Sequence, residues 1–244
     1  MIYTTFAQLY DNLMDPTMYE HWLDFVKRSQ IPTTANLLDL ACGSGRQAVK
    51  LKQAGYQHVT GLDLSEEMLA LAAMHAQEAQ LDLPLIAGNM LNLQDLPLYD
   101  CVVCFADSLC YLADEAEVQQ AMLEVCQHLN AGGKFLFDVI TPYQTDVGYA
   151  DYMYNYQDEK TAFMWESYHG DVPASVIHEL TFFVRDNDGR YEKLTETHYQ
   201  RTYSLDKYRA MLKHAGFKHV HVSADFGRAE PQADTNRWFF VCEK

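Results

Sequence analysis

Apolar residues recur along this chain with two different spacings, and the place where one gives way to the other divides it. Up to Val139, short apolar runs alternate with segments whose apolar positions return every three or four residues. The runs are Leu37-Leu38-Asp39-Leu40, Gly61-Leu62-Asp63-Leu64, a third near residues 83–87, Tyr99-Asp100-Cys101-Val102-Val103-Cys104-Phe105, and Lys134-Phe135-Leu136-Phe137-Asp138-Val139. Their length and turn-rich borders predict buried strands. Between them the spacing predicts helices over residues 46–54, stopped by Gly55, and from the Ser65 cap, with Glu66 and Glu67 in the first turn, to about Glu78. A third helix opens at Asp114 with Glu117, carries Val118, Met122, Val125 and Leu129, and is closed by Gly132-Gly133. Strands alternating with helices imply a parallel sheet with right-handed crossovers.

From about Tyr152 to Tyr203 the period becomes two. Phe163 to Tyr168, Val176 to Arg185 and Tyr191 to Thr202 read as strands, the last two joined by the hairpin signal Asp186-Asn187-Asp188-Gly189. An antiparallel sheet is thus inserted after the fifth parallel strand. Helical spacing returns at Ser204, with Leu205, Tyr208, Met211 and Leu212 on one side and Gly216 as the stop, before two last strands at residues 217–223 and 237–242. At the other end Asp15 and Pro16 start a helix with Tyr19, Trp22, Leu23 and Val26 on one face, preceded by an aromatic segment containing Tyr3, Phe6 and Tyr10. No repeat, low-complexity tract or interdomain linker is present.

Chemistry concentrates where the first strand stops. Gly43 and Gly45 lack a Cβ, so the backbone there can take positive φ and a ligand can approach the main chain. The second strand ends in Asp63, placed to accept both hydroxyls of a ribose. Gly43-Ser44-Gly45-Arg46-Gln47-Ala48 also fits the dinucleotide fingerprint. Three features favour S-adenosylmethionine over NAD. Asp39, four residues before Gly43, would help a methionine ammonium and not a pyrophosphate. Asn89 beside Met90 suits an adenine amino group and ring face, and Arg46 alone brings positive charge to the turn.

These residues resemble the class I S-adenosylmethionine-dependent methyltransferase family, whose first motif runs apolar-apolar-Asp-apolar-Gly/Ala-Cys-Gly-x-Gly. Ala41 stands where a glycine is commoner and Asn89 where an aspartate is commoner; the Asn89 amide oxygen can still accept a hydrogen bond. The resemblance covers nearly the whole chain and implies a Rossmann-like α/β fold, a seven-stranded, mostly parallel sheet with an inserted antiparallel β cap. Residues 1–140 and 204–244 would form the cofactor-binding core with an N-terminal helical lid, and residues 141–203 the cap on the acceptor side. It also implies a cofactor set of Asp39, Ala41, Gly43, Gly45, Asp63 and Leu64, continued by Met68, Asn89, Met90 and Ala106. A lid tyrosine, here Tyr10, would face the methionine end. Asp107 and Ser108 fall where the family places groups near the transferred methyl. The aromatic N-terminus, the late sheet and the strand Glu196-Thr197-His198-Tyr199-Gln200-Arg201 look similar to a bacterial subgroup whose acceptor is not established.

Acceptor choice is expected in the inserted sheet. Glu196, His198 and Gln200 share one strand face, with His178 and Glu166 on neighbouring strands. His198 is a candidate general base and Asp107 a candidate for orienting an amine or taking its proton. Arg201 and Arg237 could neutralise an acceptor carboxylate. The expected reaction is in-line methyl transfer to nitrogen or oxygen of a small polar acceptor. RNA methylation, a non-catalytic S-adenosylmethionine-binding scaffold and NAD-dependent oxidoreduction are the alternatives.

Composition narrows these. With 34 acidic residues against 18 Lys and Arg, the net charge of −16 repels a polyanion, which disfavours nucleic acid. Apolar residues make up 48%, with 16 Tyr and 12 Phe, enough for a large core and an aromatic pocket. Six cysteines show no disulfide framework and read as reduced thiols, pointing to the cytoplasm. Cys101 and Cys104, three apart on a strand, point to opposite faces and cannot share a metal. No histidine spacing implies a metal, no run reaches membrane-spanning length, and a monomer or homodimer is expected.

Overall fold

The computed structural model describes Leu9, Asp11 and residues 15–186 and 188–244. Helix α1 (Pro16–Arg28) starts where Asp15 accepts a hydrogen bond from the Thr17 N–H at 2.9 Å, and it ends with Lys27 and Arg28 against its negative pole. It buries Trp22, Leu23, Phe25 and Val26. There follow β1 (Asn36–Leu40), α2 (Arg46–Gln53), β2 (His58–Asp63), α3 (Glu66–Glu78), β3 (Leu85–Ala87), β4 (Tyr99–Cys104), α4 (Glu115–Gln127) and β5 (Leu129–Ile140). After the inserted sheet come α5 (Leu205–Ala215), β10 (His219–Ser223) and β11 (Arg237–Glu243).

These strands form one sheet in the order β10-β11-β5-β4-β1-β2-β3. The pairs among β1 to β5 are parallel, and β11 runs antiparallel to both its neighbours. Because β1 lies between β2 and β4, the order reverses there, which opens a crevice at the carboxyl ends of these strands. Side chains of β4 alternate between the two faces: Cys101 and Val103 join the core beneath α1 and α2, while Val102 and Cys104 join the core beneath α4 and α5. The two thiols therefore sit on opposite sides of the sheet, free and buried.

One boundary differs from the sequence reading. Gly132 and Gly133 do not close α4, which stops at Gln127, but lie inside β5. Leu129 already pairs with Tyr99, and a register shift between Tyr99 and Cys101 takes up the extra residues before Lys134 pairs with Cys101.

The inserted segment forms a separate antiparallel sheet, β6 (Met153–Gln157), β7 (Thr161–His169), β8 (Ser175–Arg185) and β9 (Tyr191–Arg201), in that order. Its inner face buries Phe163, Leu180 and Phe182, against which Leu9 and Trp165 pack. β9 lies over the short 3-10 turn Ser108–Tyr111 that follows β4, so this sheet overhangs the crevice. Among the described residues no helix is long and apolar enough to cross a membrane.

Candidate functional site

A cavity of about 540 Å³ occupies the crevice, and the turn after β1 forms its floor. Gly43 (φ +53°) sends its N–H to Asp63 Oδ2 at 2.7 Å, and the Ser65 N–H reaches Asp63 Oδ1 at 2.9 Å. Asp63 is thus fixed by backbone from both turns while its carboxylate still faces the cavity. Gly45 (φ +73°) plays a different part: a Cβ there would stand 2.6 Å from Ala72 Cβ, so this glycine lets α2 close onto α3 and does not line the cavity. Ala41 does line it, at φ +58°, a left-handed conformation that an alanine adopts only under strain.

Asp39 is 2% exposed, and its Oδ2 has no hydrogen-bond partner. Burial, and next the charge of Asp63, push its carboxyl up to about 8, against a hydrogen bond from the Ala48 N–H. A buried carboxylate with an unmet oxygen on a cavity wall suits a cationic ligand group. Asn89 also lines the cavity, its Oδ1 held by the Leu91 N–H at 2.9 Å. Met68, Met90 and Ala106 supply apolar wall, as does Leu64, which is 72% exposed. A ribose-facing acid, a glycine turn and an orphaned carboxylate together fit S-adenosylmethionine. Tyr10 lies outside the described residues.

Asp11 was not foreseen. Its buried carboxylate accepts the Ser44 hydroxyl and Arg46 Nε at 2.7 Å, with His75 Nε2 at 3.4 Å, and it borders the cavity. Asp11 is thereby tied to the glycine turn. A lone acid before a helix gives no sequence signal for such a tie.

A second cavity, of about 310 Å³, adjoins the first; Trp22, Ala106, Tyr111 and His198 line both. Its floor is a chain of paired polar groups. Arg237 joins Asp138 (Nη1 to Oδ2, 2.7 Å) to Asp107 (Nη2 to Oδ1, 2.5 Å). Trp22 Nε1 donates to Asp138 at 3.1 Å, and the Asp107 N–H donates to its other oxygen at 3.1 Å. Gln200 Nε2 donates to Asp107 Oδ2 at 2.6 Å, while Gln200 Oε1 accepts from His178 Nε2 at 3.2 Å. His178 Nδ1 in turn takes Trp165 Nε1 at 3.1 Å and the Ser167 hydroxyl at 2.8 Å. That pattern requires a neutral imidazole protonated on Nε2, and burial agrees, lowering its pKa to about 4.

At the neck between the cavities, His198 Nε2 lies 3.1 Å from Glu196 Oε2 and its Nδ1 3.2 Å from the Tyr111 hydroxyl. Glu196, His198 and Gln200 therefore do share the inner face of β9. Glu166 does not: β7 pairs it with Glu179 and pairs Ser167 with His178, so alternation turns Trp165 and Ser167 inward and Glu166 away. Arg201 also misses the cavity and lies over the Tyr203 ring at 5.0 Å. Arg237 reaches the cavity wall but is committed to two carboxylates of the chain. Sequence reasoning missed Tyr111, Trp22 and Asp138; the charged residue inside the apolar run of β5 was the available signal for the last.

Residues 37–133 match the methyltransferase domain family. Across 248 aligned residues the chain is 40% identical to a protein of Geobacillus sp. strain WCH70 named as a methyltransferase with no stated acceptor, covering 100% of both. Among solved structures, an S-adenosylmethionine-dependent methyltransferase from Clostridium acetobutylicum superposes with a TM-score of 0.85 at 26% identity, over 100% of this chain and 99% of that one. The sugar N-methyltransferase KedS8 from Streptoalloteichus sp. ATCC 53650 shares the fold with a TM-score of 0.76 at 21% identity, over 98% and 93%.

Proposed function

The chain belongs to the S-adenosylmethionine-dependent methyltransferases, and on that premise we propose that it methylates nitrogen or oxygen of a small polar acceptor held in the second cavity. The observation that carries this reading is the junction of two cavities at Ala106, Tyr111 and His198, one with a nucleoside-type floor and the other with an aromatic wall and paired polar groups. The cofactor supplies an electrophilic methyl group on a good leaving group, so the protein mainly aligns and desolvates the acceptor.

Asp63 and Gly43 would hold the ribose side, Asp39 the ammonium, and Asn89 with Met90 the base. Asp107, fixed by Arg237 and Gln200, orients the acceptor through its remaining lone pairs. His198 receives the proton at Nδ1, with Glu196 holding the opposite nitrogen and the Tyr111 hydroxyl beside the receiving one. Small size follows from about 310 Å³ of space. KedS8, which shares the fold, is named for a sugar acceptor and nitrogen methylation. A net charge of −16 favours such a metabolite over RNA. Asp107 is 9% exposed yet opens on a cavity continuous with the cofactor side, which favours catalysis over a scaffold role.

Calorimetry with S-adenosylhomocysteine and NADH tests the first half: the former binds, the latter does not, and Asp63→Ala abolishes binding while the circular dichroism spectrum is retained. Incubation of metabolite extracts with methyl-labelled cofactor tests the second half, and label entering only macromolecules would overturn the small-acceptor reading.

A further inference from the structure

The floor and walls of the second cavity differ in charge from what an anionic acceptor needs. Asp107 and Asp138 bring two negative charges, and Arg237 answers only one. His178 adds none, being neutral in its hydrogen-bond pattern. Both Nη atoms of Arg237 already point at carboxylates of the chain, so the guanidinium offers no free fork to a carboxylate or phosphate. Among the described residues lining this cavity there is no other Arg and no Lys. Glu196 lies at the neck, beside His198. An anion entering here would lose its hydration and meet net negative charge, with nothing to compensate.

The walls carry the same preference by a different route. Tyr152 packs edge-on against Trp165 with ring centroids 5.3 Å apart and against Tyr149 at 5.7 Å, and Tyr154 and Phe163 continue the wall outward. Aromatic faces attract a cation through their quadrupole and give nothing to an anion. Asp107 keeps lone pairs on both oxygens beyond the single partner each has in Arg237 and Gln200, so it can accept from an N–H.

We propose that the second cavity selects an acceptor bearing an amino group and rejects carboxylates and phosphates; this rests on the methyl-transfer reading and narrows its acceptor atom to an amine nitrogen. The protonated amine is recruited by Asp107 and the aromatic wall, and the negative field of the floor sets the selection; before methyl transfer one ammonium proton would pass to His198 Nδ1, which leaves the nitrogen lone pair free.

Two probes with the same cyclohexyl frame and opposite charge compare the two signs: cyclohexylammonium and cyclohexanecarboxylate, titrated by calorimetry into the full-length protein with and without S-adenosylhomocysteine. The ammonium is expected to bind at least about tenfold more tightly than the carboxylate. Asp107→Asn should shrink that ratio, and Tyr152→Leu, on the half-exposed wall, should weaken the ammonium while leaving the carboxylate unchanged. Equal or tighter binding of the carboxylate, or saturation by neither probe, overturns the proposal. Failure of S-adenosylhomocysteine to bind strikes the methyl-transfer reading instead, because the probes still report on the cavity without it. In the extract labelling, product whose methyl is released by mild base is an ester and overturns amine selection while leaving methyl transfer intact.

Discussion

Asp39 gives the sharpest test of how the cofactor is held. Its carboxyl is pushed up to about 8 by burial and the neighbouring Asp63 charge. At pH 7 it is therefore about nine-tenths protonated in the unliganded protein. The ammonium of the methionine end requires the carboxylate, so binding must expel that proton. Expulsion costs about 1.4 kcal/mol at pH 7, a tenfold loss of affinity. The ligand's own ammonium, beside its own carboxylate, titrates above the about 7.7–8.0 of a chain terminus, so only at still higher pH must it gain a proton to bind as a cation. Net proton release on the acid side thus turns into net uptake on the alkaline side, and affinity peaks above about pH 8, falling by up to about tenfold per pH unit on either side.

Calorimetry with S-adenosylhomocysteine in buffers of different ionisation enthalpy counts these protons. About 0.9 proton should be released at pH 7, the Asp39 proton, because the ligand amine is already charged there. Asp39→Asn should abolish the release and weaken binding by about 2 kcal/mol, roughly thirtyfold. Zero release at pH 7 in the unsubstituted protein, or the same release in the variant, refutes the pairing of Asp39 with the ammonium.

Three other outcomes follow from single features. Ala41→Gly relieves a left-handed alanine and should raise stability by about 1 kcal/mol, or roughly 2–4 °C in the thermal midpoint by calorimetry. Trp22→Phe removes the indole donor to buried Asp138 and should destabilise by about 1–3 kcal/mol in denaturant titrations, more than loss of apolar area alone predicts. His178, with its pKa lowered to about 4 from 6.5, is neutral when folded, whereas the unfolded chain takes up a proton as pH falls below 6.5. Its contribution is complete above that value and lost progressively down to about 4, up to about 3 kcal/mol, and His178→Asn should flatten that part of the stability curve.

The grouping of the candidate cofactor residues around one cavity was legible because they are local to strand ends. Asp39, Gly43, Asp63 and Asn89 belong to or follow β1, β2 and β3, and once alternation implies a parallel sheet, the handedness of its crossovers gathers those ends at one edge. What the sequence concealed there was conformational. Ala41 stands where a glycine is commoner, and its φ of +58° makes that exchange a strained one. Gly45 resembled a ligand-approach glycine, and its tight constraint is instead the Ala72 side chain of a neighbouring helix.

The second cavity resisted for a geometric reason. Its polar chain draws Trp22 from α1, Asp138 from β5, His178 from β8, Gln200 from β9 and Arg237 from β11, with Asp107 at the end of β4. Arg237 and Asp138 are 99 residues apart, Gln200 and Asp107 93. Periodicity fixes which residues share a face within one strand, as it did for Glu196, His198 and Gln200. It cannot fix which face of the next strand matches, and that parity is where Glu166 was misplaced.

The same assembly explains why an ion pair lies where apolar residues would pack more cheaply. Replacing one partner of such a pair leaves a buried charge unmet, whereas the full set ties α1, the parallel sheet and the antiparallel sheet together around one guanidinium. Ala106 and Asp107 both adopt positive φ, at 56° and 50°, and the Asp107 N–H donates to Asp138 in that strained turn. The Asp107 carboxylate is therefore aimed by its own backbone as well as by Arg237 and Gln200. A group held from both ends keeps its direction when an acceptor arrives, and it is this fixed negative end, more than the aromatic wall around it, that makes the acceptor's charge the property the cavity reads first.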